Sequence, residues 1–203
     1  TGITAAFAAM VALHSGVGQV VDVNLLTTIF QMMGPVISLF KLSGELQPRL
    51  GSGLPYTVPR GVYQCVDGKW VGVSASSDTV AARVMKILGL ETDERFTTFA
   101  GRMEHRELLQ ELMGKWCATR ARDEVVAIFE AAEAAVGPVF DMSDIATDPH
   151  YAARNMIQIV GDTPMQGLIA ALSKTPGVLR DEGHAIDADR DDITTRGWKN
   201  NTI

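Results

Sequence analysis

Hydrophobic positions in the first forty residues leave almost no polar face. Ile3 to Leu13 has only Thr4 as a polar residue, a pattern that predicts a buried helix. Gly16, just beyond His14-Ser15, is placed to end it in the left-handed conformation. Val20 to Val23 reads as a short strand that encloses Asp22. Asn24 to Leu42 predicts a second apolar helix, kinked or split at Gly34-Pro35, with Met32 and Met33 as core filler. Ser43 to Pro59 is a loop punctuated by glycines and prolines, and its length marks either a functional loop or a linker.

The periodicity then changes. Val62–Val66 and Trp70–Ala75 flank Asp67-Gly68, which predicts a β-hairpin because both turn positions tolerate positive φ. Amphipathic helices follow at Asp78–Leu88, with Ser77 or Asp78 as cap, at Glu104–Cys117, and at Arg122–Ala135. Gly137-Pro138 closes the last of these, and Val139-Phe140 begins a strand. Ser143 is placed to cap a helical turn, and Asp148-Pro149 starts another. Met156–Val160 and Leu168–Leu172 read as strands joined through Gly161–Gly167; Gly183–Ile193 reads as an acidic helix and Arg196–Ile203 as a frayed end.

Composition narrows the function classes. The 203 residues carry 18 basic and 24 acidic side chains, a net charge of −6, with no basic run. That argues against nucleic acid or an anionic membrane surface as partner. The longest apolar run, Ala5 to Leu13, is too short to span a bilayer. Cys65 and Cys117 form no framework or metal motif and fit a reducing, cytoplasmic setting. There is no Walker loop, no His-Glu-x-x-His and no Gly-x-Ser-x-Gly. Gly16-Val-Gly18 follows a helix instead of joining strand to helix, so it reads as a turn. His14, His105, His150 and His184 are scattered; Glu130 and Glu133 suit a solvated helix face; Cys65 suits a small core residue. From the residues alone, this is an α/β chain with a glycine loop at a domain boundary and no self-sufficient catalytic set.

Five segments resemble class III CoA-transferases in order. Gly16-Val-Gly-Gln-Val-Val-Asp-Val-Asn-Leu-Leu is similar to their Gly-x-Gly-Gln-x-Val-Asp-Val-Ser-Leu signature. Pro59 to Trp70 resembles their Pro-x-Gly-x-Tyr…Asp-Gly-x-Trp hairpin, and Arg95-Phe96 with Arg102-Met-Glu-His-Arg-Glu-Leu resembles the segment that follows. Gly137-Pro-Val with Asp148-Pro to Arg154-Asn-Met, and then Gly183-His184, which resembles the closing Gly-x-His-Thr stretch without its Thr, complete the series. The superfamily includes formyl-CoA and carnitine-CoA transferases and the α-methylacyl-CoA racemases.

The resemblance implies an interlocked homodimer with a Rossmann-like large domain and a small α/β domain. Residues 1–43 would be the last helices and strand of the large domain, 44–60 the linker and glycine loop, 61–140 the small domain with its hairpin, and 141–203 a segment returning to the large domain. Thr1-Gly2 matches a Thr-Gly that follows the family's catalytic Asp, so the nucleophile is expected just upstream of Thr1, in an N-terminal half. No cofactor is implied beyond coenzyme A as substrate, together with an acyl-CoA and a carboxylate. Gly51, Ser52 and Gly53 occupy the place of the active-site glycine loop, and Tyr56 is an acyl-site candidate by position. The racemases carry a Glu after the second hairpin strand. Its place falls here on Ser77, beside Asp78, which disfavours racemase chemistry.

Overall fold

The computed structural model describes residues 1–197. Three apolar helices come first: α1 (Gly2–Ser15), α2 (Leu25–Met32) and α3 (Val36–Ser43). Gly16 ends α1 at φ 70° with its N–H on the Leu13 carbonyl. The Asn24 side chain caps α2 through the Thr27 N–H, and Gly34-Pro35 splits the second apolar stretch into helices bent by 68°. Among the described residues no single helix is long and apolar enough to cross a membrane.

Two expectations for this stretch are corrected. α1 has no buried residue, and Phe7, Met10 and Leu13 are among its exposed side chains. A helix that is apolar all round calls for a cover, and the described residues do not supply one. Val20–Val23 forms no strand, because no ladder partner lies beside it among the described residues.

The loop from 44 to 59 leads into β1 (Arg60–Gln64) and β2 (Trp70–Ser74), paired antiparallel with Gln64 opposite Trp70. The turn closes through Cys65 N–H to Lys69 O (2.8 Å) and Gly68 N–H to Cys65 O (3.0 Å), with Gly68 at φ 77°. Next come α4 (Asp78–Leu88), α5 (Phe99–Glu104), α6 (Arg106–Cys117), α7 (Arg122–Ala131) and β3 (Val136–Val139). β3 runs antiparallel to β2, giving a three-stranded sheet in the order β1-β2-β3. α7 is shorter than its apolar pattern suggests. The chain reverses at Glu133, left-handed at φ 52°, and Gly137-Pro138 lies inside the edge strand.

This sheet and its helices hold the core. Val71 and Val73 alternate inward from β2. Ala81, Val84 and Met85 face them from α4, Leu109, Met113 and Cys117 from α6, and Val125 and Phe129 from α7, all at helical spacing. Trp116 meets Phe129 edge-on with ring centroids 5.8 Å apart. Ser77 caps α4 through the Val80 N–H, and Gly89 ends it at φ 70°.

The remaining elements are α8 (Met142–Thr147), α9 (Pro149–Ala153), β4 (Ile157–Val160), β5 (Thr163–Gln166) and α10 (Arg190–Arg196). Asp141, not Ser143, caps α8, because its carboxylate accepts from both the Ser143 and Asp144 N–H groups while Asp144 reaches back in a capping box. Asp148 caps α9, with Pro149 at its first position. β4 pairs with β5 across the two residues Gly161-Asp162, so the expected strand at Leu168–Leu172 is irregular chain instead. The tight turn brings Thr163 straight back onto Val160. The acidic helix begins only at Arg190, because Gly183 (φ 103°) and Asp187 (φ 71°) interrupt the segment before it. Of the expected frayed end, 198–203 lies outside the described residues.

Arg122 ties three of these segments, through its backbone and its guanidinium. Arg122 donates from its backbone N–H to Asp67 Oδ2 (3.1 Å), and from Nη1 and Nη2 to the two oxygens of Asp144 (2.6 and 3.1 Å). Lys69 Nζ joins Asp144 at 3.1 Å. These bonds, Arg122 first, hold the Asp144 carboxyl far below the ordinary carboxylate range. The Arg122 backbone N–H does the same more mildly for Asp67.

Candidate functional site

The site begins with how the 44–59 loop is fastened to the hairpin. Ser52 Oγ accepts the Val62 N–H at 2.8 Å. Gln110, from the second turn of α6, donates from Nε2 to Arg60 O at 3.0 Å and accepts the Tyr63 hydroxyl at Oε1. Tyr63 is 6% exposed, and this burial pushes its phenol well above the ordinary range, so it stays a proton donor to Gln110. Gly61 leaves room between them. A Cβ there would lie 3.2 Å from the Tyr63 hydroxyl, 3.3 Å from Ser52 Oγ and 3.4 Å from Gln110 Oε1. Gly53 is equally confined, with a Cβ meeting Leu50 O at 3.2 Å, while Gly51 turns at φ 59°.

Loop, β1 and α6 enclose an open groove of about 490 Å³. That volume is in the range of small-molecule sites. Gly51, Ser52 and Gly53 all line it. Tyr56 does not; it lies beyond the groove, 67% exposed. Arg106 reaches over the loop and donates from Nη2 to Pro55 O at 2.7 Å. Arg49, Arg106 and Gln110 were not singled out by sequence reasoning. Arg106 stands inside the Arg-x-x-His-Arg-x-Leu segment, whose pattern by itself gives it no separate role.

The other candidates lie apart from the groove. Asp78 Oδ1 accepts from Arg102 Nη2 at 2.5 Å, and Arg102, 2% exposed, also donates to Phe96 O. Ser77 is committed to capping α4. Glu133 pairs with Arg83 at 2.9 Å on the surface, and Glu130 is exposed. Cys65 and Cys117 are buried and unpaired with each other. Burial pushes the Cys117 thiol up to about 12 and raises that of Cys65, so neither is a ready nucleophile. His184 sits against Asp189 (2.9 Å), far along the chain from the loop. No cluster of three or more potential metal ligands occurs among the described residues.

Comparison with known proteins bears on what such a groove belongs to. The succinyl-CoA–D-citramalate CoA-transferase of Chloroflexus aurantiacus is 32% identical over 203 residues, covering 94% of this chain and 50% of that protein. The beta subunit of the same organism's succinyl-CoA–L-malate CoA-transferase is 27% identical over 207 residues, covering 95% of this chain and 51% of the subunit. The chain thus spans about half the length of these relatives. A CAIB/BAIF family protein from Brucella suis shares the fold, with a TM-score of 0.77 at 21% identity over 96% of this chain and 52% of the other. The model of CoA-transferase family III matches residues 1–189, and the chain belongs to that family.

Proposed function

We propose that this chain is the C-terminal portion of an enzyme that moves CoA from an acyl-CoA to a carboxylic acid, with dicarboxylic acids as preferred acceptors. The observation that carries this reading is the family match over 1–189, beside relatives named for transfer from succinyl-CoA to D-citramalate and L-malate. An acetyl-CoA:oxalate CoA-transferase from Acetobacter aceti, 26% identical over 157 residues, points the same way.

The chemistry is nucleophilic. An Asp carboxylate upstream of Thr1 attacks the thioester carbonyl, the C–S bond breaks, and CoA leaves as thiolate from a mixed anhydride. The thiolate attacks the aspartyl carbonyl, releasing the first acid and leaving an enzyme thioester. The incoming carboxylate repeats the exchange in reverse and departs as the new acyl-CoA. The 51–53 loop would cover the reacting carbonyl, exclude water and offer N–H groups to the developing oxyanion. The racemase alternative is not favoured: Ser77 fills the position counted for its Glu and serves as a helix cap, while Asp78 is paired with Arg102.

The exposed apolar helices α1 to α3 fit a chain covered by the N-terminal half of the same protein and by a second copy in an interlocked dimer. In this reading residues 1–43 complete a Rossmann-like domain, 61–140 form the small domain and 141–203 return to the large one. Two buried, unpaired cysteines are compatible with a cytoplasmic setting.

The test is CoA exchange from succinyl-CoA to L-malate, assayed with this polypeptide alone and with the upstream half supplied. Transfer is expected only in the second case. Turnover by the isolated 203 residues would place the nucleophile inside this chain and overturn the aspartyl assignment.

A further inference from the structure

We propose that Arg106 and Arg49 hold the second, non-reacting carboxylate of a dicarboxylate acceptor in the groove between the 49–54 loop and α6. This rests on the transferase reading and adds the residues that would select the acid.

The polar groups on the groove floor are already engaged with one another. Tyr63 donates to Gln110, Gln110 donates to Arg60 O, and Ser52 accepts from Val62. What the floor leaves for a ligand is charge. Arg106 and Arg49 both line the groove, and neither takes part in an ion pair among the described residues. One carboxylate, Glu107, lines it as well, so two guanidiniums stand against a single acid.

Arg106 is the anchored member. Its Nη2 is fixed on Pro55 O at 2.7 Å and touches Met103 Sδ at 3.3 Å, which holds the half-buried side chain in place with the rest of its fork unpaired among the described residues. A pre-positioned guanidinium suits a carboxylate, since its planar donors match two oxygens and little side-chain freedom is lost on binding. Arg49, exposed on the loop, supplies a second charge from across the groove. Leu50, Leu54 and Val62 line the same space and offer apolar contact to the short carbon chain between two carboxylates. A monocarboxylic acid of equal length gains the apolar contact but not the ion pair.

The experiment uses the complete enzyme with acetyl-CoA as donor, held saturating while the acceptor is varied and then itself varied at fixed acceptor, and two acceptors, succinate and butyrate. These have the same four-carbon chain, with and without the second carboxylate. Arg106→Gln should raise the KM for succinate about 10- to 100-fold, the loss expected for one charge-assisted contact, and Arg49→Gln about 3- to 10-fold. Butyrate should stay within about 2-fold in both. Arg106→Lys, which keeps the charge and can reach Pro55 O, should fall between. Equal losses on both acceptors, or a rise in the KM for acyl-CoA instead, would mean that Arg106 supports the loop or meets a CoA phosphate, and the assignment would be overturned. Calorimetric titration of the same protein with succinate reads the grip without turnover. A wild type that transfers no CoA but binds succinate in an Arg106-dependent way keeps the grip and removes the transferase reading. An active wild type whose succinate preference survives Arg106→Gln does the reverse.

Discussion

Gln110 is the point where loop, hairpin and helix meet, and its removal should be felt through the groups it leaves behind. Gln110→Leu keeps similar bulk but takes the acceptor from the Tyr63 hydroxyl and the donor from Arg60 O. The hydroxyl of a residue 6% exposed then has no partner, and an unsatisfied buried polar group costs about 1–3 kcal/mol. With the lost bond to Arg60, the single substitution should destabilise the fold by about 2–3 kcal/mol. Tyr63→Phe alone should cost about 1 kcal/mol, because half-buried Gln110 can turn to water. In the double variant no hydroxyl is stranded. Its loss should therefore fall short of the sum by about 1–2 kcal/mol. Urea unfolding followed by far-UV circular dichroism reads all four proteins, with the m-value unchanged. Strictly additive losses would refute the hub and reduce the contact to two independent surface bonds.

Other outcomes follow from geometry of the same kind. Gly101→Ala puts a Cβ 2.5 Å from the Arg95 carbonyl oxygen, a backbone atom, and should cost about 1–3 kcal/mol, whereas Gly114→Ala meets nothing within 4 Å and should gain about 0.5–1 kcal/mol; thermal melts of the pair check the contrast. Cys65 and Cys117 should resist a thiol-specific reagent at pH 8 until the protein is unfolded, since burial raises both thiols; rapid native labelling would contradict their placement in the core. His184 should titrate above 6.5 by NMR, because Asp189 bonds its ring, and Asp189→Asn should return it toward 6.5. The stabilisation from that pair is complete below about pH 6.5 and disappears as pH rises through the folded value.

What was legible in the sequence was local. Asp67-Gly68 fixed the hairpin because its partners lie within a few residues, and α4 announced itself with a cap at each end. The α7 pattern ran past its true end because periodicity does not register one left-handed residue at Glu133. The strand after Gly161 was placed five residues late, since Leu168–Leu172 is the more apolar run while Thr163–Gln166 has the register. Apolarity of α1 predicted that something covers it, not that the cover lies outside the described contacts. The groove was only half visible. Gly51, Ser52 and Gly53 came from a pattern, but Arg106 meets Pro55 across 51 residues and Gln110 meets Arg60 across 50. Contacts of that span have no signature in a window of sequence.

The Arg122 bracket has a mechanical consequence. It grips the hairpin at the Asp67 turn, while the groove lies beside Val62. The turn is held by the Arg122 backbone N–H on Asp67 and by the Lys69–Asp144 ion pair, whereas the groove at Val62, the middle residue of β1, is held by neutral bonds from Ser52 and Gln110. β1 itself is laddered to β2 along its whole length, so the difference lies in the contacts around it: charged at the turn, neutral at the loop. A ligand that shifts the loop would exchange the neutral Ser52 and Gln110 bonds first and leave the charged contacts at the turn, and the α8 segment tied to them through Asp144, at rest.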